Sequence, residues 1–204
     1  MGLDVVLIVG RPGSGKSTLS RHIAQRWPLP VVAKDAVKEL LFDTLGVSDA
    51  DWSMKLGRAS FAVLDYVIEL QLQTGHSFLI DSAYDARYEN AKFQVWQQRY
   101  GFRAVQVHCT APPDVLTERF IARAADGTRH PGHADSSRVD EFRRTLTDGR
   151  VETLDLDGPV LTYESDTEHS TAEILDQLQR ILGRRLDEPA STRNKHRVGD
   201  TPTP

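Results

Sequence analysis

Residues 10–17 read Gly10-Arg11-Pro12-Gly13-Ser14-Gly15-Lys16-Ser17, followed by Thr18, and satisfy the pattern G-x-x-x-x-G-K-[ST]. The residues before them, Leu3 to Val9, form an apolar, largely β-branched run broken only by Asp4, as expected for a strand covered on both faces. Those after them, Ser17 to Trp27, put Leu19, Ile23 and Trp27 on one helical face. Glycines let such a turn curl until successive N–H groups point inward, and the helix N-terminus behind it adds partial positive charge. A nucleoside triphosphate is the expected guest, with ATP as cofactor. Lys16 then reaches its β- and γ-phosphates, and the Ser17 hydroxyl coordinates Mg²⁺.

Working outward, strands alternate with helical stretches, the signature of an α/β fold with a mainly parallel sheet. Further strands are expected at Val31 to Ala33, Ser77 to Ile80 ending at Asp81, Ala104 to His108 and Val160 to Tyr163. The spacing of Leu56, Val63, Val67 and Leu70 predicts a helix over Ser53 to Thr74, stopped by Gly75. Pro112 and Pro113 open another through Val115, Leu116 and Phe120. The last begins at Ser170, whose spacing to Glu173 makes a capping box, and ends at Gly183. Trp27, Trp52 and Trp96 read as core or pocket wall.

Composition narrows the function. The 204 residues suit one domain, placed at 1–183, with a polar, proline-containing tail over 184–204 expected to be disordered. No apolar run is long enough to span a membrane, and no signal or lipid anchor is visible at the N-terminus. A single cysteine, Cys109, fits a reducing cytoplasm. The net charge of −4 argues against a dedicated nucleic-acid binder, although Arg119 to Arg144 carries six arginines against four acids.

Several residues outside the loop have the right chemistry for a site. Ser77-Phe-Leu-Ile-Asp81 is an apolar strand ending in an acid, so Asp81 either holds a water on Mg²⁺ or caps the next element. Arg119 and Arg123 share a helical face. Arg129 comes from the turn-rich segment DGTRHPGHADSS over 126–137, which reads as a mobile flap, with lid bounds at about 124–138. Arginines on a lid would supply cations to a transferred phosphoryl; otherwise they make surface ion pairs, for instance with Glu118 or Asp126, and Arg119 has the alternative of stacking on adenine. His130 and His133, with Asp135, have metal-ligand chemistry, but Pro131 and Gly132 preclude a helix there. Hydrogen bonding to phosphate or acceptor is the better reading. Tyr84 and Arg87 follow the third strand and are acceptor-pocket candidates. Glu164, Ser165 and Asp166 are expected to border the base.

The chain resembles the small phosphate-loop kinases that include phage polynucleotide kinases, chloramphenicol phosphotransferase and the zeta toxins. The resemblance covers residues 3 to 182. Its blocks are GRPGSGKST, then Val31-Val-Ala-Lys-Asp-Ala-Val-Lys-Glu-Leu-Leu41, then Arg119-Phe-Ile-Ala-Arg123 with Gly127-Thr-Arg129-His130-Pro-Gly-His133. It implies a phosphate-loop NTPase domain with a five-stranded parallel sheet of order 2-3-1-4-5, helices on both faces and an arginine-bearing lid. It also implies that Asp35 accepts the proton of an attacking hydroxyl. An Asp opening a helix at the C-terminal edge of a parallel sheet lies where such folds bind ligands, though the same position suits a helix cap. Many members carry an arginine shortly after this acid, where Lys38 stands here.

The reading that follows is an ATP- and Mg²⁺-dependent phosphotransferase acting on a hydroxyl of a small molecule. Alternatives are a slow ATPase working as a nucleotide-dependent switch, a 5′-hydroxyl polynucleotide kinase, and a zeta-like toxin.

Overall fold

Strand β1 (Asp4–Gly10) is buried at every position, and the architecture follows from covering it. In a computed structural model, which describes residues 2–127, 129–165 and 170–183, β1 pairs in parallel with β3 (Phe78–Asp81) on one side and β4 (Arg103–Thr110) on the other. Outside these lie β2 (Val31–Ala33) and β5 (Val160–Glu164), giving the order β2-β3-β1-β4-β5. The expected order 2-3-1-4-5 is the observed one.

Successive β1 side chains point to opposite faces, and each set has its own helices. Val5, Leu7 and Val9 pack with Leu64, Ile68 and Leu72 of α3 (Ala50–Thr74) and with Phe93 and Trp96 of α4 (Ala86–Tyr100). Val6 and Ile8 meet Leu19, Ile23 and Trp27, on or just after α1 (Lys16–Arg26), and Ile174, Leu178 and Leu182 of α7 (Ser170–Leu182). The remaining helices are α2 (Lys34–Leu45), α5 (Pro113–Ala125) and the short α6 (Val139–Thr145). Phe120 of α5 stacks on Phe142 of α6, with ring centroids 4.3 Å apart.

Three expectations need correction. Helix α3 begins at Ala50 rather than Ser53, because Asp49 accepts from the Trp52 N–H and caps it. Its buried stripe is Ser53, Leu56, Ser60, Leu64, Ile68 and Leu72, so Val63 and Leu70 are exposed. The apolar residues of this helix fill more than one stripe, and periodicity alone did not choose between them. Trp52 is neither core nor pocket wall; its Nε1 donates to the Gly46 carbonyl and closes the α2–α3 turn. The tail, Asp166 and the cap of α7 with the Ser170 side chain lie outside the described residues. No described helix is long and apolar enough to cross a membrane.

A strap over 151–157 runs between α4 and the sheet, bound by side-chain amides. Gln106, buried on β4, donates to the Leu154 carbonyl at 2.8 Å and accepts from the Leu154 N–H at 2.7 Å. Gln97 of α4 does the same for Asp157, donating and accepting at 2.9 Å. Replacing Gln106 with Leu keeps the volume, leaves the Leu154 N–H without a partner and leaves its carbonyl only the Leu156 N–H, at 3.1 Å. The expected loss is about 2–4 kcal/mol, read as a lower midpoint in urea; an unchanged midpoint would show that the strap does not depend on this pair.

Candidate active site

The parallel register decides where the chemistry lies. Ile8 and Ala33 both pair with Asp81, so the C-terminal ends of β1, β2 and β3 are level. Gly10, Asp81 and, two positions past Ala33, Asp35 therefore emerge at one edge of the sheet. At Gly10 the loop turns with φ +139°, and a Cβ there would lie 2.2 Å from the Cys109 carbonyl oxygen. Only glycine passes so close to β4. Burial pushes the Cys109 thiol up to about 12, which keeps it protonated and inert.

Lys16 opens α1, and its Nζ donates to the Arg11 carbonyl at 2.8 Å. Burial lowers its pKa, against the attraction of the Asp81 and Asp35 carboxylates. Asp81 shows the reverse: desolvation raises its pKa, although Lys16 and the Ser17 hydroxyl favour the carboxylate. Both charges are thus poorly solvated beside the loop. Arg119, on α5, reaches across it, donating to the Gly13 carbonyl at 3.3 Å and to Ser165 Oγ at 2.6 Å. Ser165 also lies against Gly15, so the residue after β5 closes this side of the loop. Arg11 turns its own side chain away toward residues 145–152.

Asp35 lies in the first turn of α2 but does not cap it; the cap position is Ala33, with no side-chain bond. Its carboxylate faces two cations instead, Lys34 Nζ at 3.3 Å and Arg129 Nη2 at 2.8 Å. Desolvation would raise its pKa, yet Lys34 and Arg129 together hold it well below the usual carboxylate range. The acid is therefore fully ionised and engaged.

Arg129 comes from the segment expected to form the lid, and that segment docks on α2. Asp35, Glu39 and Asp43 recur every fourth residue, a single helical face. Arg129 pairs with Asp35 and, at 3.6 Å, with Glu39; His133 Nε2 meets Glu39 at 2.9 Å; His130 Nε2 meets Asp43 at 3.2 Å. Phe42 lies between the histidines, stacked on His130 with centroids 5.3 Å apart and edge-on to His133 at 5.9 Å. A Cβ on Gly132 would come within 2.5 Å of the Phe42 ring, so this close approach requires glycine. Arg123 pairs with Asp135 at 2.9 Å rather than with Glu118 or Asp126. Both nitrogens of each imidazole are engaged, His130 by Asp43 and the Gly132 N–H and His133 by Glu39 and Arg129, and no cluster able to hold a metal ion occurs among the described residues.

Lys38, buried one turn after Asp35, donates to Ser53 Oγ at 3.0 Å, and Ser53 donates to the Gly132 carbonyl at 3.0 Å. Burial, with Lys34 and Arg138 nearby, lowers its ammonium to about 8. It lies beneath the docked segment. The other two acceptor candidates are elsewhere. Tyr84 is a core residue, 1% exposed and packed edge-on to Phe93 at 5.2 Å. Arg87 folds back onto Asp85, its helix cap, at 2.6 Å. A position just after a strand end does not reveal which side of the sheet the side chain joins, and that was the source of both assignments. Glu39 and Asp43 had only their spacing to announce them.

A protein-family model described as an AAA domain matches residues 5–148. The crystal structure of a proposed kinase from Chloroflexus aurantiacus j-10-fl superposes with a TM-score of 0.79 at 32% identity, covering 89% of this chain and 100% of that one. An uncharacterised protein of Mycobacterium tuberculosis is 28% identical over 127 residues, 59% of this chain and 26% of the relative. The chain thus spans about a quarter of that protein's length. A shikimate kinase from Leptospira biflexa is 29% identical over 76 residues, 37% of this chain and 41% of its own.

The docked segment should respond to acid through His133. Burial, with Arg129 as the next cause, brings its imidazole down to about 3. An unfolded histidine, near 6.5, takes up a proton that the folded one refuses, so between these values stability falls as pH falls. Its greatest slope is about 1.4 kcal/mol per pH unit. His133→Asn is expected to flatten the decline in unfolding midpoint between about pH 6.5 and pH 5; equal slopes in both proteins would refute the assignment.

Proposed function

The chain belongs to the AAA-domain family, and from that premise we propose that it is a phosphotransferase that moves the γ-phosphoryl of ATP to a hydroxyl of a small molecule. The observation that carries the reading is Asp35. An acid that is neither cap nor core lies level with Asp81, within electrostatic reach of Lys16, and is gripped by an arginine from the segment over 126–138. A bare ATPase has no use for a carboxylate there. The kinase names of the Chloroflexus and Leptospira relatives point the same way, as does the resemblance to the small phosphate-loop kinases.

In this reading the inward N–H groups of residues 10–18 and the Lys16 ammonium hold the phosphates. Arg119, bridging the loop and Ser165, borders the base. Ser17 and Asp81 provide a hydroxyl and a desolvated carboxylate side by side, the hard oxygen donors that suit Mg²⁺. Bound there, the metal would neutralise phosphate charge. Asp35 orients the acceptor hydroxyl and takes its proton as the new P–O bond forms, while the bond to ADP breaks. While Arg129 holds it, Asp35 is a very weak base. The segment must therefore release Asp35 for acceptor to enter, and Arg129 and Arg123 then become available to the transferred phosphoryl. Lys38 and the two histidines line the acceptor side, which favours a small, polar molecule.

The test is ATP consumption with Mg²⁺ against a panel of sugars, nucleosides, aminoglycosides, chloramphenicol and 5′-hydroxyl oligonucleotides. Acceptor-dependent turnover is expected, abolished by Lys16→Ala and lowered about 10²- to 10⁴-fold by Asp35→Asn. Near-normal turnover in Asp35→Asn would end its role as the base, and slow hydrolysis indifferent to every acceptor would favour a nucleotide switch. Arg129→Gln should lower turnover with the acceptor identified; a gain would mean that the segment only obstructs.

A further inference from the structure

The phosphate loop is braced from a side that its consensus pattern does not mention. Arg11 donates from Nη1 to the carbonyl of Thr145, the last residue of α6, where a cation also meets the negative end of the helix. Its Nε lies 2.6 Å from Glu152 Oε1 and its Nη2 lies 3.6 Å from Asp148 Oδ1. The Arg11 and Glu152 side chains are only 13% and 10% exposed, so water screens this pair little. Glu152 is held in turn, its second oxygen 3.2 Å from His108 Nε2 on β4.

What makes the pair more than a structural tie is the other end of Arg11. Its carbonyl is the group that accepts from Lys16 Nζ. The conformation of this one residue therefore sets both the curl of the loop and the resting place of the ammonium. We infer that Glu152 is a positioning residue for nucleotide phosphates: it clamps the Arg11 side chain against the 145–152 segment and so presets the loop backbone around Lys16. Glu152 lies beyond the stretch matched by the family model. The inference rests on the reading of residues 10–18 as a nucleotide loop and not on phosphoryl transfer to any acceptor.

A double-mutant cycle on ATP affinity, measured calorimetrically with Mg²⁺ present, tests it. Arg11→Gln and Glu152→Gln are each expected to weaken binding about fivefold to tenfold, and the double variant no more than the worse single one, because each removes the other's partner. Glu152→Asp should recover part of the affinity. Glu141→Gln, which removes an exposed pair with Arg138 on α6, should leave it within about twofold. Binding by Glu152→Gln within twofold of wild type, or losses that multiply in the double variant, would overturn the inference. Should either glutamine variant fail to fold, Arg11→Lys and Glu152→Asp complete the cycle with smaller losses expected, and losses that multiply in their double variant overturn the inference in the same way. If wild type binds ATP and the cycle behaves as expected while no acceptor is phosphorylated, the proposed function falls and the positioning role stands.

Discussion

Strand β1 has no solvent face, and the molecule is arranged to satisfy that constraint. A strand buried on both faces and both edges needs a neighbour on each side and a helical layer above and below. β3 and β4 provide the neighbours, α3 with α4 and α1 with α7 the layers. The chain can leave such a strand only at the sheet's C-terminal edge, where it must turn at once into α1. Gly10 allows the turn, and the first turn of a helix entered this way presents N–H groups that no earlier helical carbonyl can pair. The phosphate site is in this sense a by-product of burying Val5 to Val9.

The same edge places two carboxylates in opposite environments. Asp81, at the end of buried β3, has its pKa raised by desolvation despite Lys16. Asp35, one strand further out and partly exposed, is held low by Lys34 and Arg129. Nearby acids whose environments push them apart can take different roles. A desolvated carboxylate gains most from a cation brought close to it, whereas one already carrying an arginine changes most when that arginine leaves.

What could be read from the sequence was local. The loop is contiguous, so its pattern, the preceding strand and the following helix are visible together. Asp81 was marked by the strand it terminates. Helix α4 is not among the expected elements, although its buried residues Ala86, Phe93 and Trp96 share one face. Adjacency to a strand end says nothing about which side Tyr84 joins; packing against Phe61 and Phe93 places it in the core instead of the acceptor pocket. The bond from Arg129 to Asp35 crosses 94 positions, and Glu152 reaches Arg11 through a strap held by side-chain amides. Such contacts carry no spacing, since the residue types that make them, arginine and glutamate, are common on any surface.

The docked segment constrains how the site can work. Arg129 lies among Asp35, Glu39 and Asp135, with His133 accepting from its Nη2 at 3.1 Å. Lys34 also pairs with Asp35 and Arg123 with Asp135, so three carboxylates face three cations, and His133, held neutral by burial and by Arg129 itself, adds no charge. An anion arriving at the loop competes for the same arginine with higher charge density than any one of these carboxylates. In the proposed reaction, moving Arg129 toward it would free Asp35 to regain basicity once a phosphoryl group is in place. Gly132 gives the segment its tight contact with Phe42, and Ala134, at φ +52°, a strained backbone directly after His133. The docked form thus combines ion pairs around Arg129 with the Phe42–His130 stack and the Ser53–Gly132 bond, and of these only the ion pairs are interactions that a competing phosphate can exchange.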